Sequence, residues 1–150
     1  MELILWRHAD AEDGADDMAR RLTAKGERQA AAMATWLRAH LPSQHTLVAS
    51  PAVRAQQTAA ALGASIVTER SLAPGATPTA IVEAARKRNG LVIVVGHQPD
   101  LGRAAAQLIA RTDSDWHIDK GAIWWLAGES PARIKAVLSP DLLQHRDLLV

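Results

Sequence analysis

Cysteine is absent from the 150 residues. That excludes disulfides, thiolate metal sites and a cysteine nucleophile together. Phenylalanine and tyrosine are absent too, so five tryptophans are the whole aromatic complement. Neither sign of charge dominates: 17 Lys+Arg against 16 Asp+Glu leave a formal +1. A nucleic-acid binder would show a strong basic excess, so that class is disfavoured. No apolar run approaches the roughly 18 residues of a membrane span. Met1 leads straight into Glu2-Leu3-Ile4-Leu5-Trp6, with no basic stretch of the kind that opens a secretory signal. A cytoplasmic protein with neither nucleic-acid nor membrane partners is expected.

The chain does have the composition of a packed globule, 48% hydrophobic and 22% charged. Its length and lack of repeats or linkers predict one domain over 1–150. Short apolar runs at 2–6, 46–49, 65–68 and 91–95 read as strands. The run Leu91-Val92-Ile93-Val94-Val95, bounded by Gly90 and Gly96, is the clearest of them. Residues 122–127 and 133–138 read as two more strands turning at Gly128 and Pro131, an antiparallel pair that would make the edge mixed. Helical patterns lie between. Thr23 is a candidate cap for a helix to about His40, with Ala30, Met33, Leu37 and Leu41 on one face. Ser50-Pro51 and Thr77-Pro78 each pair a capping residue with a first-turn proline. Those helices are expected to end near Gly63 and at Asn89-Gly90, and a fourth runs from Pro99 to about Arg111. The alternation predicts an α/β three-layer sandwich, its sheet mostly parallel with helices on both faces.

Polar residues gather directly after three strands: Arg7-His8, Ser50 to Arg54, and Gly96-His97-Gln98-Pro99. In open α/β sheets, ligands bind outside the carboxyl ends of the strands. Two arginines and two histidines should therefore meet at one edge, beside helix N-termini that favour an anion. Guanidinium forks match phosphate oxygens. A neutral imidazole is a competent nucleophile toward phosphorus when its other nitrogen is held. No G-x-S-x-G elbow and no Walker loop is present.

Four ordered blocks now carry a resemblance. Leu5-Trp6-Arg7-His8-Ala9 resembles the Arg-His-Gly signature of the histidine phosphatase superfamily. Leu22-Thr23-Ala24-Lys25-Gly26-Glu27-Arg28-Gln29-Ala30 resembles its L-T-x-x-G-x-x-Q-A helix opening. Ser50-Pro51-Ala52-Val53-Arg54-Ala55-Gln56-Gln57-Thr58-Ala59 is similar to its S-P-x-x-R-A-x-Q-T-A block, and Gly96-His97-Gln98-Pro99 to its G-H-x-P block. The short chain looks most like the SixA-type phosphohistidine phosphatases. The resemblance implies a phosphoglycerate-mutase-like fold without a large cap. It makes His8 the nucleophile, with Arg7, Arg54 and His97 on the phosphoryl oxygens. Arg20, in Asp17-x-x-Arg20-x-Leu22-Thr23, becomes an outer phosphate or substrate contact. Ala9 departs from the family glycine and puts a methyl group beside the nucleophile.

Each residue also has a plainer reading. His8 and His97 could be satisfied core histidines, Arg54 a solvated helix residue, and Arg20 or Arg21 a surface charge. Asp13, Asp16 and Asp17 fit a solvated loop. His40, His45, His117 and His145 follow no metal-ligand spacing and read as structural or exposed. Trp124 and Trp125 should face opposite sides of a strand, and Trp116 is a candidate for the rim of the site.

Two absences bear on substrate. Many superfamily members carry a glutamate proton donor after the third strand, where this chain reads Leu72-Ala73-Pro74-Gly75-Ala76. A phosphomonoester gains about 10²–10⁴-fold from such an acid, whereas imidazole leaves more readily. Only about twenty residues separate the third strand from the strand at 91, too few for a helical cap. An open site would admit a histidine projecting from a partner protein. We therefore expect a metal-free, cofactor-free phosphohistidine phosphatase acting on a phosphohistidine-carrying signalling or phosphotransfer domain, itself a monomer or weak dimer. The alternatives are a small-molecule phosphomonoesterase using Asp16, Asp17 or Glu12 as its acid, a mutase, and a phosphate-binding module without turnover.

Overall fold

The computed structural model describes residues 1–129 and 131–144. His145 lies outside the described residues. Six strands form one sheet: β1 (Glu2–Arg7), β2 (His45–Ala49), β3 (Ile66–Thr68), β4 (Leu91–Gly96), β5 (Ile123–Ala127) and β6 (Arg133–Leu138), in the order β3-β2-β4-β1-β5-β6. The first four are parallel. β5 runs antiparallel to β1, and β6 to β5, which gives the mixed edge. Four helices pack on it: α1 (Ala24–His40), α2 (Val53–Ala60), α3 (Pro78–Arg86) and α4 (Asp100–Ala110).

The alternation of side chains along the strands builds two cores. Leu3, Leu5, Val92 and Val94 face α3 and α4, meeting Ile81, Leu101 and Ala104. Ile4, Trp6, Ile93 and Val95 face α1 and α2, meeting Met33, Leu37 and Ala55. Trp124 and Trp125 split between these cores as their adjacency requires. Trp116 packs beside Trp124, ring centroids 6.0 Å apart, on the first core.

Thr23 and Thr77 cap α1 and α3 by accepting from the N–H groups of Gly26 and Ala80. Ser50-Pro51 does not open α2. Ala52 holds the cap position without a side-chain bond, and the Ser50 hydroxyl, which accepts from Ala52 N–H, also meets His97. α3 ends at Arg86, short of Asn89-Gly90, and Leu41 lies just beyond α1. Among the described residues no helix is long and apolar enough to cross a membrane.

Candidate active site

The parallel register sets Arg7 beside Gly96 and Ala49 beside Val95. The chain therefore leaves β1, β2 and β4 at one edge, carrying His8, Ser50 and His97. His8 N–H donates to the Gly96 carbonyl at 3.0 Å, and Ser50 N–H to the Val95 carbonyl at 3.0 Å, extending the ladder into the site. The rings of His8 and His97 lie 5.2 Å apart between centroids.

His8 is 7% exposed. Its Nδ1–H donates to the Ala9 carbonyl at 2.7 Å, which leaves the lone pair on Nε2. Burial lowers its pKa to about 4, and the charges of Arg54, Arg7 and Arg20 push the same way. The imidazole is therefore neutral at pH 7. His97 is brought down to about 3, first by burial and then by His8 and Arg54. The Ser50 hydroxyl accepts from Ala52 N–H at 3.2 Å and lies 2.7 Å from His97 Nε2. Directing the hydroxyl proton to Nε2 satisfies both groups, and in that tautomer His97 carries its hydrogen on Nδ1.

That Nδ1 is buried without a partner, as are the Nε atoms of Arg7 and Arg54. Buried polar atoms are nearly always paired, and these three belong to the residues gathered round His8 at the sheet edge, called the cup below. Each guanidinium is anchored through its terminal nitrogens. Arg7 Nη1 donates to the Ile118 carbonyl at 2.8 Å. Arg54, 4% exposed, donates from Nη1 to the Asp17 carbonyl at 2.6 Å and from Nη2 to Asp17 Oδ2 at 3.2 Å.

A second set of contacts explains the sequence blocks. The L-T-x-x-G-x-x-Q stretch braces the loop after His8. Thr23 Oγ1 donates to Asp10 Oδ2 at 2.8 Å, and Gln29 Oε1 accepts from Asp10 N–H at 2.9 Å. A Cβ on Gly26 would stand 1.9 Å from the Asp10 carbonyl oxygen, so only glycine admits the loop. From the S-P-x-x-R block, Gln57 Oε1 accepts from Leu22 N–H at 2.7 Å. Thr58 Oγ1 accepts from Ala9 N–H at 3.0 Å and donates to the Arg54 carbonyl at 2.8 Å. The Ala9 methyl is buried against Leu22 and Ala30 without crowding the nucleophile. Thr58, Gln29 and Gln57 are visible only as letters of the blocks, because their partners lie far along the chain.

The candidate acids fall differently. Asp17 accepts from Arg20 Nη1 at 3.1 Å as well as from Arg54. The bond from Arg20 is the main cause holding its carboxyl below the usual range, so it carries no proton at neutral pH. Arg20 thus reaches the cup through Asp17, and its Nε donates to the Glu12 carbonyl at 2.7 Å. Asp16 and Glu12 are exposed on the same loop. Asp100, which the sequence did not single out, is 3% exposed; its Oδ2 accepts from Gly75 and Ala76 N–H at 2.9 and 3.0 Å. It thereby fixes the end of the 72–76 segment. Its own carboxyl is pushed up by burial, against those two bonds.

Comparison with known proteins bears on this arrangement. The family model for the histidine phosphatase superfamily (branch 1) matches residues 3–75, which include Arg7, His8 and Arg54. Phosphohistidine phosphatase SixA of Escherichia coli (strain K12) is 31% identical over 72% of this chain and 74% of its own. An uncharacterized protein of Picosynechococcus is 35% identical over 95% of this chain and 93% of its own. The structure of the protein histidine phosphatase SixA complexed with tungstate superposes with a TM-score of 0.82 at 24% identity, covering 96% of this chain and all of that one. This chain belongs to the histidine phosphatase superfamily and is a phosphatase.

Proposed function

We propose that the chain is a phosphohistidine phosphatase. It would take the phosphoryl group from a histidine of a cytoplasmic signalling or phosphotransfer protein, through a phosphoenzyme on His8, with residues 1–150 acting as one catalytic domain. The observation that carries this reading is a neutral His8 with Nε2 free, beside three buried donors that lack an acceptor. Phosphoryl transfer asks for that combination: a nucleophile with its lone pair exposed, and fixed positive groups where charge is carried by the equatorial oxygens. Nε2 attacks phosphorus and the substrate P–N bond breaks. Water then cleaves the His8–phosphorus bond and releases phosphate. Arg7, Arg54 and His97 hold the oxygens throughout, and Arg20 acts from outside through Asp17. The arginines supply the charge that a metal would otherwise bring, so neither metal nor cofactor is required.

The substrate class rests on separate support. The relative from Escherichia coli is named a phosphohistidine phosphatase. Residues 72–76 supply no carboxylic acid for an alkoxide leaving group, and Asp17 is engaged as an anion by two arginines. The test is a side-by-side measurement of kcat/KM on a phosphohistidine-carrying protein and on a panel of sugar, glycerate and amino-acid phosphates. The expected advantage for the protein is at least ~10²-fold, the scale of a general acid's contribution. Equal or better turnover of a small phosphomonoester would replace this reading with that of a small-molecule phosphatase.

A further inference from the structure

Arg7 also borders an open cavity of about 470 Å³, together with Lys25, His117, Asp119, Lys120 and Asp141. His117 Nε2 stands 2.9 Å from Asp119 Oδ1, and Asp119 Oδ2 accepts from Ser139 Oγ at 2.8 Å. The backbone between the pair carries the Ile118 carbonyl that anchors Arg7. Gly121 N–H, just beyond, donates to the carbonyls of both Arg7 and His8 at 3.1 Å. One short stretch of chain thus ties the imidazole to the clamp and to the nucleophile. The ring itself remains 73% exposed. An ordinary surface ion pair needs neither the Ser139 tether nor a cavity shared with Arg7.

We propose that the leaving group departs into this cavity and that protonated His117, positioned by Asp119, gives it a proton. The proposal rests on His8 being the nucleophile, as argued above. It fills the gap left by the missing glutamate. A phosphohistidine whose second ring nitrogen is unprotonated must otherwise expel an imidazolide anion. In the first step the substrate P–N bond breaks as the bond from His8 Nε2 to phosphorus forms. The electron pair of the broken bond takes the Nδ1 proton of His117, while His117 Nε2–H stays on Asp119. In the second step water attacks phosphorus, the pair returns to His8 Nε2, and the proton lost by water returns to His117 Nδ1. His8 keeps its Nδ1–H on the Ala9 carbonyl throughout, and the cycle closes without another reactant.

The experiment compares two substrates that differ only in whether the departing ring needs a proton. 1-Phosphoimidazole leaves as imidazolide at a pH where its second nitrogen is bare. 1-Phospho-3-methylimidazolium leaves as neutral methylimidazole. The rate of His8 phosphoenzyme formation is followed in quenched single turnovers for wild type, His117→Gln and Asp119→Asn. His117→Gln should lose about 10²-fold on phosphoimidazole, the low end for a general acid, and several-fold at most on the methylated compound. Asp119→Asn should show the same selectivity with a smaller loss. Equal losses on both substrates in His117→Gln, or no loss on either, would overturn the proposal whatever Asp119→Asn does, since an exposed His117 is not needed for folding. Wild type that labels His8 with neither compound would overturn the nucleophile assignment itself, and this proposal with it.

Discussion

Around Asp10 each polar group has a partner: Thr23 and Lys120 hold the carboxylate, Gln29 takes the N–H, and Thr23 N–H meets the carbonyl. Across His8, in the cup, Arg7 Nε, Arg54 Nε and His97 Nδ1 are buried and have none. The two regions adjoin one another, yet one is satisfied and the other is not. A buried unmade hydrogen bond costs roughly 1–3 kcal/mol, so a soft structure would collapse to pair these donors. The brace prevents that. It fixes the loop on one side of His8 while Asp17 and the Ile118 carbonyl hold the outer nitrogens of Arg54 and Arg7. On the proposed function the cup is preorganised: its groups are held in place before an oxyanion arrives.

The strongest way to break the contrast is to remove the group the cup serves. His8→Ala should cut turnover on the order of 10⁴-fold or more, as removal of a nucleophile does, while circular dichroism and Tm stay near wild type. Retained turnover would mean the cup serves another group. Next comes a clamp donor. Arg54→Ala should lower kcat/KM by about 10²–10³-fold, from roughly 2.7–4 kcal/mol per preorganised donor. Arg54→Lys should recover only part of it, because an ammonium cannot hold Asp17 with one face and the oxyanion with another. Full recovery in steady-state assays would reduce the clamp to charge alone.

Attacking the brace should cost stability before chemistry. Gly26→Ala drives a methyl into the Asp10 carbonyl, and overpacking of this kind costs about 1–3 kcal/mol. Thermal unfolding should register it as a Tm lower by several degrees, with activity reduced less than in Arg54→Ala. An unchanged Tm would show that the loop moves freely and that the brace is slack.

Acid offers a graded test. His8 and His97 have folded pKa values of about 4 and 3, against an ordinary 6.5. Between those values the unfolded chain binds the protons that the folded one refuses. Their contribution to stability is therefore full above about pH 6.5 and is lost as pH falls toward the folded values. Imidazole NMR should find both rings neutral at pH 5; a His8 titrating near 6.5 would mean the cup is wetter and looser than described. The smallest effect belongs to Asp17→Asn, which weakens one anchor of Arg54 and supplies no proton. A few-fold loss on a phosphohistidine protein is expected. A loss above ~10²-fold that grows with leaving-group basicity would instead make Asp17 the acid.

Much of this contrast was legible along the chain, and for local reasons. The strand at 91–95 announces itself by β-branched residues between glycines, and Thr23 and Thr77 by capping chemistry that acts within three residues. Arg7, His8, Arg54 and His97 follow strand ends, where an open sheet places ligands. The brace was not legible as a brace. Gln57 reaches Leu22, and Thr58 reaches Ala9, across the fold, and nothing in spacing reveals such partners. Ser50 beside Pro51 looks like a helix cap, but α2 begins only at Val53 and the hydroxyl also reaches a distant histidine. Asp17 was ambiguous because a loop carboxylate reads alike whether it gives a proton or holds two arginines. Its role turns on Arg54, 37 positions away.

On the proposed function, Arg7, Arg54 and His97 surround a nucleophilic His8. The most direct measurement is to quench wild-type enzyme in mid-turnover of a phosphohistidine-carrying protein, digest it, and locate the acid-labile, base-stable phosphoryl group by mass spectrometry. Phosphate on His8, absent in His8→Ala and released with the rate constant of turnover, is the predicted result. Phosphate on any other residue, or hydrolysis at full rate with no enzyme-bound phosphoryl group, would contradict it.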